Sequence, residues 1–113
     1  MNLIATSKHQ SNYPRPIAFE PGDLLKLGEP DSEYPGWIWV TTPDGNQGWA
    51  PEQYLVVHDN SLEARASQSY SAYELNTQAG ERLEVLQELN QWVLVRNSTG
   101  NIGWVPRETT TPV

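Results

Sequence analysis

The chain reads as all-β, built from two similar small domains in tandem. Three observations lead to this reading. A set of short motifs occurs twice in the same order. Turn residues are dense, with nine Pro and eight Gly in 113 residues. The segments between them are short and rich in Trp, Tyr, Val and Leu, which suits strands joined by tight turns.

The repeat is visible at four places. Gly48-Trp49-Ala50-Pro51 returns as Gly103-Trp104-Val105-Pro106. Asp44-Gly45-Asn46-Gln47, just upstream, corresponds to Thr99-Gly100-Asn101-Ile102. Trp37-Ile38-Trp39-Val40 corresponds to Trp92-Val93-Leu94-Val95 at the same offset. Gly22-Asp23-Leu24-Leu25-Lys26-Leu27 matches Gly80-Glu81-Arg82-Leu83-Glu84-Val85 after a small change of spacing. Several motifs recurring in one order define repeated units. The expected domains are residues 1–57 and 61–113, with 58–60 as the linker. A domain of roughly 55 residues buries only about 60% of its unfolded surface, so two such units gain from each other's presence.

Taken in order within each half, the Gly-acid pairs at 22–23 and 80–81 suit turns that enter strands at 24–28 and 82–86. Asp44-Gly45 is a hairpin signal, because Gly takes the positive φ that a tight turn requires. It joins a strand at 37–42 to one at 47–50, and Thr99-Gly100-Asn101 does the same in the second half. Gly48 and Gly103 stand inside strands, which marks a bulge or a close approach. Pro51 and Pro106 end those strands, since Pro cannot donate to a ladder. Ser61–Asn76 has Leu62, Ala66, Tyr70 and Tyr73 at roughly helical spacing. The repeat argues against a helix there, because residues 1–16 hold the equivalent place and carry breakers.

Composition removes several function classes. There is no Cys, which excludes disulfides, thiolate chemistry and Cys-based zinc sites. Seven Lys and Arg stand against fourteen Asp and Glu, with the excess spread over both halves. Nucleic-acid binding needs phosphate neutralisation, so it is not expected, and a cationic partner surface is mildly favoured. The N-terminus lacks a long apolar core after a basic start, and no apolar run reaches the roughly 18 residues of a membrane span. A cytoplasmic protein without membrane contact is the expectation. His9 and His58 are the only histidines and neither sits at metal-ligand spacing. With no nucleophile elbow, no phosphate-binding Gly loop and no paired carboxylates, no enzyme, cofactor or metal is expected.

Placed in order, these landmarks resemble an SH3 (Src homology 3) domain, twice over. Ile17-Ala18-Phe19-Glu20-Pro21-Gly22-Asp23 is similar to the family's ELSF..GD segment. Trp37-Ile38 takes the Trp-Trp place, and Gly48-Trp49-Ala50-Pro51-Glu52-Gln53-Tyr54-Leu55 matches the G-x-x-P-x-N-Y-V ending. In the second half Glu74-Leu75-Asn76-Thr77-Gln78-Ala79-Gly80-Glu81 and Trp92-Val93 resemble the same segments. Its ending, Gly103 to Thr109, lacks the Tyr. The first strands depart most: Ala5-Thr6-Ser7-Lys8-His9 and Ala66-Ser67-Gln68-Ser69-Tyr70 stand where ALYDY is expected. The resemblance implies two SH3-like five-stranded β-barrels in tandem, of a divergent, bacterial-type variant.

It also implies a non-catalytic adaptor. In the family, proline-rich peptides lie extended across aromatic ridges, and little ordering entropy is lost because the polyproline-II helix is preformed. By position the peptide-binding residues are Trp37, Pro51 and Tyr54 in the first half, with His9 at the second Tyr of ALYDY, Tyr13 in the RT loop and Glu33 before Trp37. Trp92, Pro106 and Tyr70 are their counterparts in the second. The first domain is expected to bind better, and Trp37→Ala to weaken binding without unfolding the chain. Trp49 and Trp104 are expected to pack. A structural or homodimeric subunit with self-filled grooves, and a cell-wall (peptidoglycan) binding module, are the alternatives.

Overall fold

The computed structural model describes residues 1–11, 14–57 and 62–113. Its strands are β1 (Asn2–Ala5), β2 (Ala18–Phe19), β3 (Leu24–Pro30), β4 (Trp37–Thr41), β5 (Gln47–Pro51), β6 (Leu55–Val57), β7 (Glu63–Ala66), β8 (Tyr70–Ser71), β9 (Arg82–Leu89), β10 (Trp92–Arg96), β11 (Ile102–Pro106) and β12 (Thr110–Pro112). One turn of 3-10 helix, Glu52–Tyr54, precedes β6, and another, Arg107–Thr109, precedes β12. The stretch 62–76, with its helical spacing, forms β7 and β8 instead. Among the described residues no helix is long and apolar enough to cross a membrane.

The repeated motifs make repeated structure. Gly22 and Gly80 sit at φ of +90° and +95°, and Gly45 and Gly100 at +86° and +89°, so the turns fall where Gly was expected. The first hairpin is tightened by Asp44, whose carboxylate accepts from the Thr42 hydroxyl and from the Asn46 amide. Those donors, Thr42 foremost, hold the Asp44 carboxyl below its ordinary value of 3.8. In the second hairpin Asn97 Oδ1 takes the same part, accepting from the Asn101 and Thr99 amides at 2.9 and 3.1 Å. Strands β5 and β11 end at Pro51 and Pro106, as the missing N–H requires.

The pairing of the strands departs from two contiguous domains. One five-stranded sheet has the order β11-β10-β9-β1-β12 and the other β5-β4-β3-β7-β6; β2 and β8 form a separate two-stranded ladder. The first strand of each half therefore lies in the sheet of the other half. β1 pairs with β9 and β12, and β7 pairs with β3 and β6, all antiparallel. The compact units are Met1–Pro14 with Tyr73–Val113, here the split unit, and Arg15–Ala72, here the continuous unit. Boundaries at 1–57 and 61–113 follow the repeat in sequence but not the units in space. The expected linker, 58–60, lies outside the described residues. The strands flanking it pair with each other in one sheet, so it does not separate two units.

Each exchanged strand fits the interior that receives it. In the split unit Leu3 and Ala5 join Leu75, Leu83, Val93, Val95 and Val105 in one buried cluster. In the continuous unit β7 contributes only Ala64 and Ala66, both buried. That smaller strand meets a unit with larger residues elsewhere: Phe19 where the split unit has Thr77, and Ile38 where it has Val93. Interiors tolerate such exchanges when total volume is kept.

Candidate functional site

Period-two alternation puts Trp37, Trp39 and Thr41 of β4 on one face and Ile38 and Val40 on the other. Val40 is fully buried, so the Trp face is the outer one. Trp37 stands directly opposite Pro51, and Trp39 opposite Trp49 with the rings edge to face at 5.0 Å. Gly28 on β3 makes room for that pair: a Cβ there would lie 3.2 Å from Trp39 Cδ1. The 3-10 turn after Pro51 brings Tyr54 against Tyr70 at 5.8 Å, edge to face, and Tyr70 lies tilted on Phe19 at 5.4 Å. These rings are closed in. Trp37, Tyr54 and Tyr70 are 6%, 7% and 8% exposed. Trp37, expected among the peptide-binding residues, is buried. Glu33 is exposed in the loop ahead of β4, where its amide donates to Asp31 Oδ1 at 2.8 Å.

In the split unit Trp92 opens β10 opposite Pro106. Its indole is half-buried. His9 approaches it edge-on, with ring centroids 5.7 Å apart and planes at 83°. His9 Nε2 donates to Glu74 Oε1 at 2.9 Å. Backbone pairing fixes both partners. His9 and Thr77 exchange two hydrogen bonds of 3.0 and 2.9 Å, while Leu75 N donates to Trp104 O and Trp104 N to Tyr73 O. Ser11 N adds a bond to Asn76 Oδ1 at 2.7 Å. The other edge is bounded by Arg107, which meets Glu88 at 3.3 Å. The β9–β10 turn is the pair Asn90-Gln91, both at positive φ, so no long loop overhangs Trp92 from that side.

The nine expected peptide-binding residues therefore sort into two sets. Trp37, Pro51, Tyr54, Tyr70 and Glu33 belong to the continuous unit; His9, Trp92 and Pro106 belong to the split unit. Tyr13 lies outside the described residues. Each set mixes the halves of the sequence. Tyr70 comes from the second half to join Tyr54, and His9 comes from the first to join Trp92. Glu74, the acid nearest this second set, was read only as part of a framework segment. Its partner lies 65 residues away, so local spacing could not show the pair. Charge divides unevenly too. The continuous unit has three basic and nine acidic residues, the split unit four and five, giving net charges of −6 and −1.

Residues 3–57 match the family model described as "Variant SH3 domain", and residues 68–107 match that described as "SH3 domain". No curated protein and no solved structure matches the chain.

Proposed function

Since the chain belongs to the SH3 domain family, whose members are protein-interaction modules that bind peptides, we propose that it binds an extended, proline-rich segment of a partner protein across Trp92 of the split unit, without catalysis. The observation that carries this reading is the half-buried Trp92 indole, paired across the ladder with Pro106 and met edge-on by the His9 ring. An indole packs proline rings well, and a polyproline-II segment loses little entropy on docking. The Glu74 carboxylate beside His9 supplies an acceptor for a basic side chain of the same segment. The continuous unit, with its rings packed on one another, is read as the more structural of the two.

The test is fluorescence anisotropy with a fluorescein-labelled peptide carrying Pro-x-x-Pro and one flanking Arg. Trp92→Ala is expected to weaken binding about 30-fold, the size of a hot-spot truncation of about 2 kcal/mol, while its cooperative melt survives. Unchanged affinity in that variant, or no binding by the parent chain, contradicts the reading.

A further inference from the structure

A chain of two like repeats has a choice at its first strands. Each can pair inside its own half, or the two can trade places. Register does not decide, because Leu3 and Ala64 hold equivalent positions, opposite Leu83 and Leu25. The polar neighbours do discriminate. In the exchanged pairing Glu63 lies opposite Lys26 and Arg65 opposite Leu24. Asn2 lies opposite Glu84, and Ile4 opposite Arg82. Were each strand to stay in its own half, the same registers would set Glu63 against Glu84 and Arg65 against Arg82. Ile4 would then stand between Leu24 and Val56, an outward row of three apolar side chains. Like charges directly opposite each other destabilise an antiparallel pair, and opposite charges support it.

We infer that these outward-facing charges on β3, β7 and β9 select the exchanged pairing, and so decide which ring stands beside which indole. Arg65 is further held in its adopted place by a hydrogen bond from Nη1 to Gly22 O at 2.9 Å. His9 and Tyr70 occupy the same place in the two repeats. Exchange gives the Trp92 surface an imidazole and its Glu74 partner, and gives Tyr70 to the cluster with Phe19 and Tyr54. Lys26, Glu63, Arg65, Arg82 and Glu84 are thus positioning residues for the binding surface. The inference concerns strand choice and holds whether or not the Trp92 reading does.

The chain has no Cys, so engineered thiols report strand neighbours without background. Ile4 lies opposite Thr111 in the exchanged pairing and would lie opposite Val56 in the other. With native charges, Ile4→Cys with Thr111→Cys is expected to close an intramolecular disulfide in dilute solution, and Ile4→Cys with Val56→Cys to remain reduced, read by intact mass and peptide mapping. Reversing β9 with Arg82→Glu and Glu84→Lys makes it complementary to β7. Arg96→Glu is added to keep the 3.0 Å pair that Glu84 makes with Arg96. This variant is expected to move the ratio of the two cross-links by about tenfold or more toward Ile4→Cys with Val56→Cys. Should the triple variant not fold, Arg82→Gln with Glu84→Gln removes the repulsion alone and is expected to make that second cross-link detectable. Closure of the second cross-link with native charges overturns the exchanged pairing. An unchanged ratio in the folded charge variants overturns selection by charge.

Discussion

Trp37 and Trp92 begin equivalent strands and each stands opposite a proline, yet one indole is buried and the other half-buried. The residues at the other ring positions of the two repeats differ as well. The continuous unit carries Phe19, Tyr54 and Tyr70 where the split unit carries Thr77, Thr109 and His9, so three large rings are replaced by two threonines and an imidazole. The identity of these residues was legible in the sequence; their exposure was not. Tyr70 and His9 reach their clusters from the other half, which no local pattern encodes. At 6% exposure Trp37 behaves as a core residue. Trp37→Ala is therefore expected to cost about 3–5 kcal/mol and to abolish the cooperative melt of the continuous unit, measured by thermal denaturation with circular dichroism. A variant that melts like the parent while losing its peptide partner would return Trp37 to the groove.

The elements were the most readable level. Hairpins at Gly45 and Gly100, strands closed by Pro51 and Pro106, and close approaches at Gly48 and Gly103 all follow from single-residue constraints, and all occur. The approach at Gly48 is made by Ile17, whose Cγ2 would lie 3.1 Å from an added Cβ. At Gly103 the space is tighter. An added Cβ would meet Leu75 Cγ at 2.9 Å, and Leu75 N and Tyr73 Cδ2 at 3.0 Å. Gly103→Ala is expected to cost about 1–3 kcal/mol by overpacking, and more than Gly48→Ala, because backbone cannot step aside as a side-chain end can. Equal chemical-denaturation midpoints for the two variants would contradict that ranking. The Asn90-Gln91 turn carries no Gly to mark it: Asn tolerates positive φ, but Gln at positive φ is unusual and is set by the pairing of Leu89 with Trp92.

At the scale of the molecule, the repeat in sequence and the unit in space differ by one strand each. The family-model matches at 3–57 and 68–107 follow the repeat, whereas the compact units trade β1 for β7. Hydrophobic alternation could not reveal this, since both first strands present an apolar residue to a leucine in the same register. The cross-strand charges separate the two arrangements, and they gain meaning once strand partners are known. The exchange places β7, with Glu63 and Arg65, in a unit that carries six of the chain's seven excess negative charges. The most direct test of this architecture is an interstrand nuclear Overhauser measurement on the labelled chain at low concentration. The exchanged fold predicts contacts of Leu3 with Leu83 and of Leu25 with Ala64. Contacts of Leu3 with Leu25 and of Ala64 with Leu83 would contradict it.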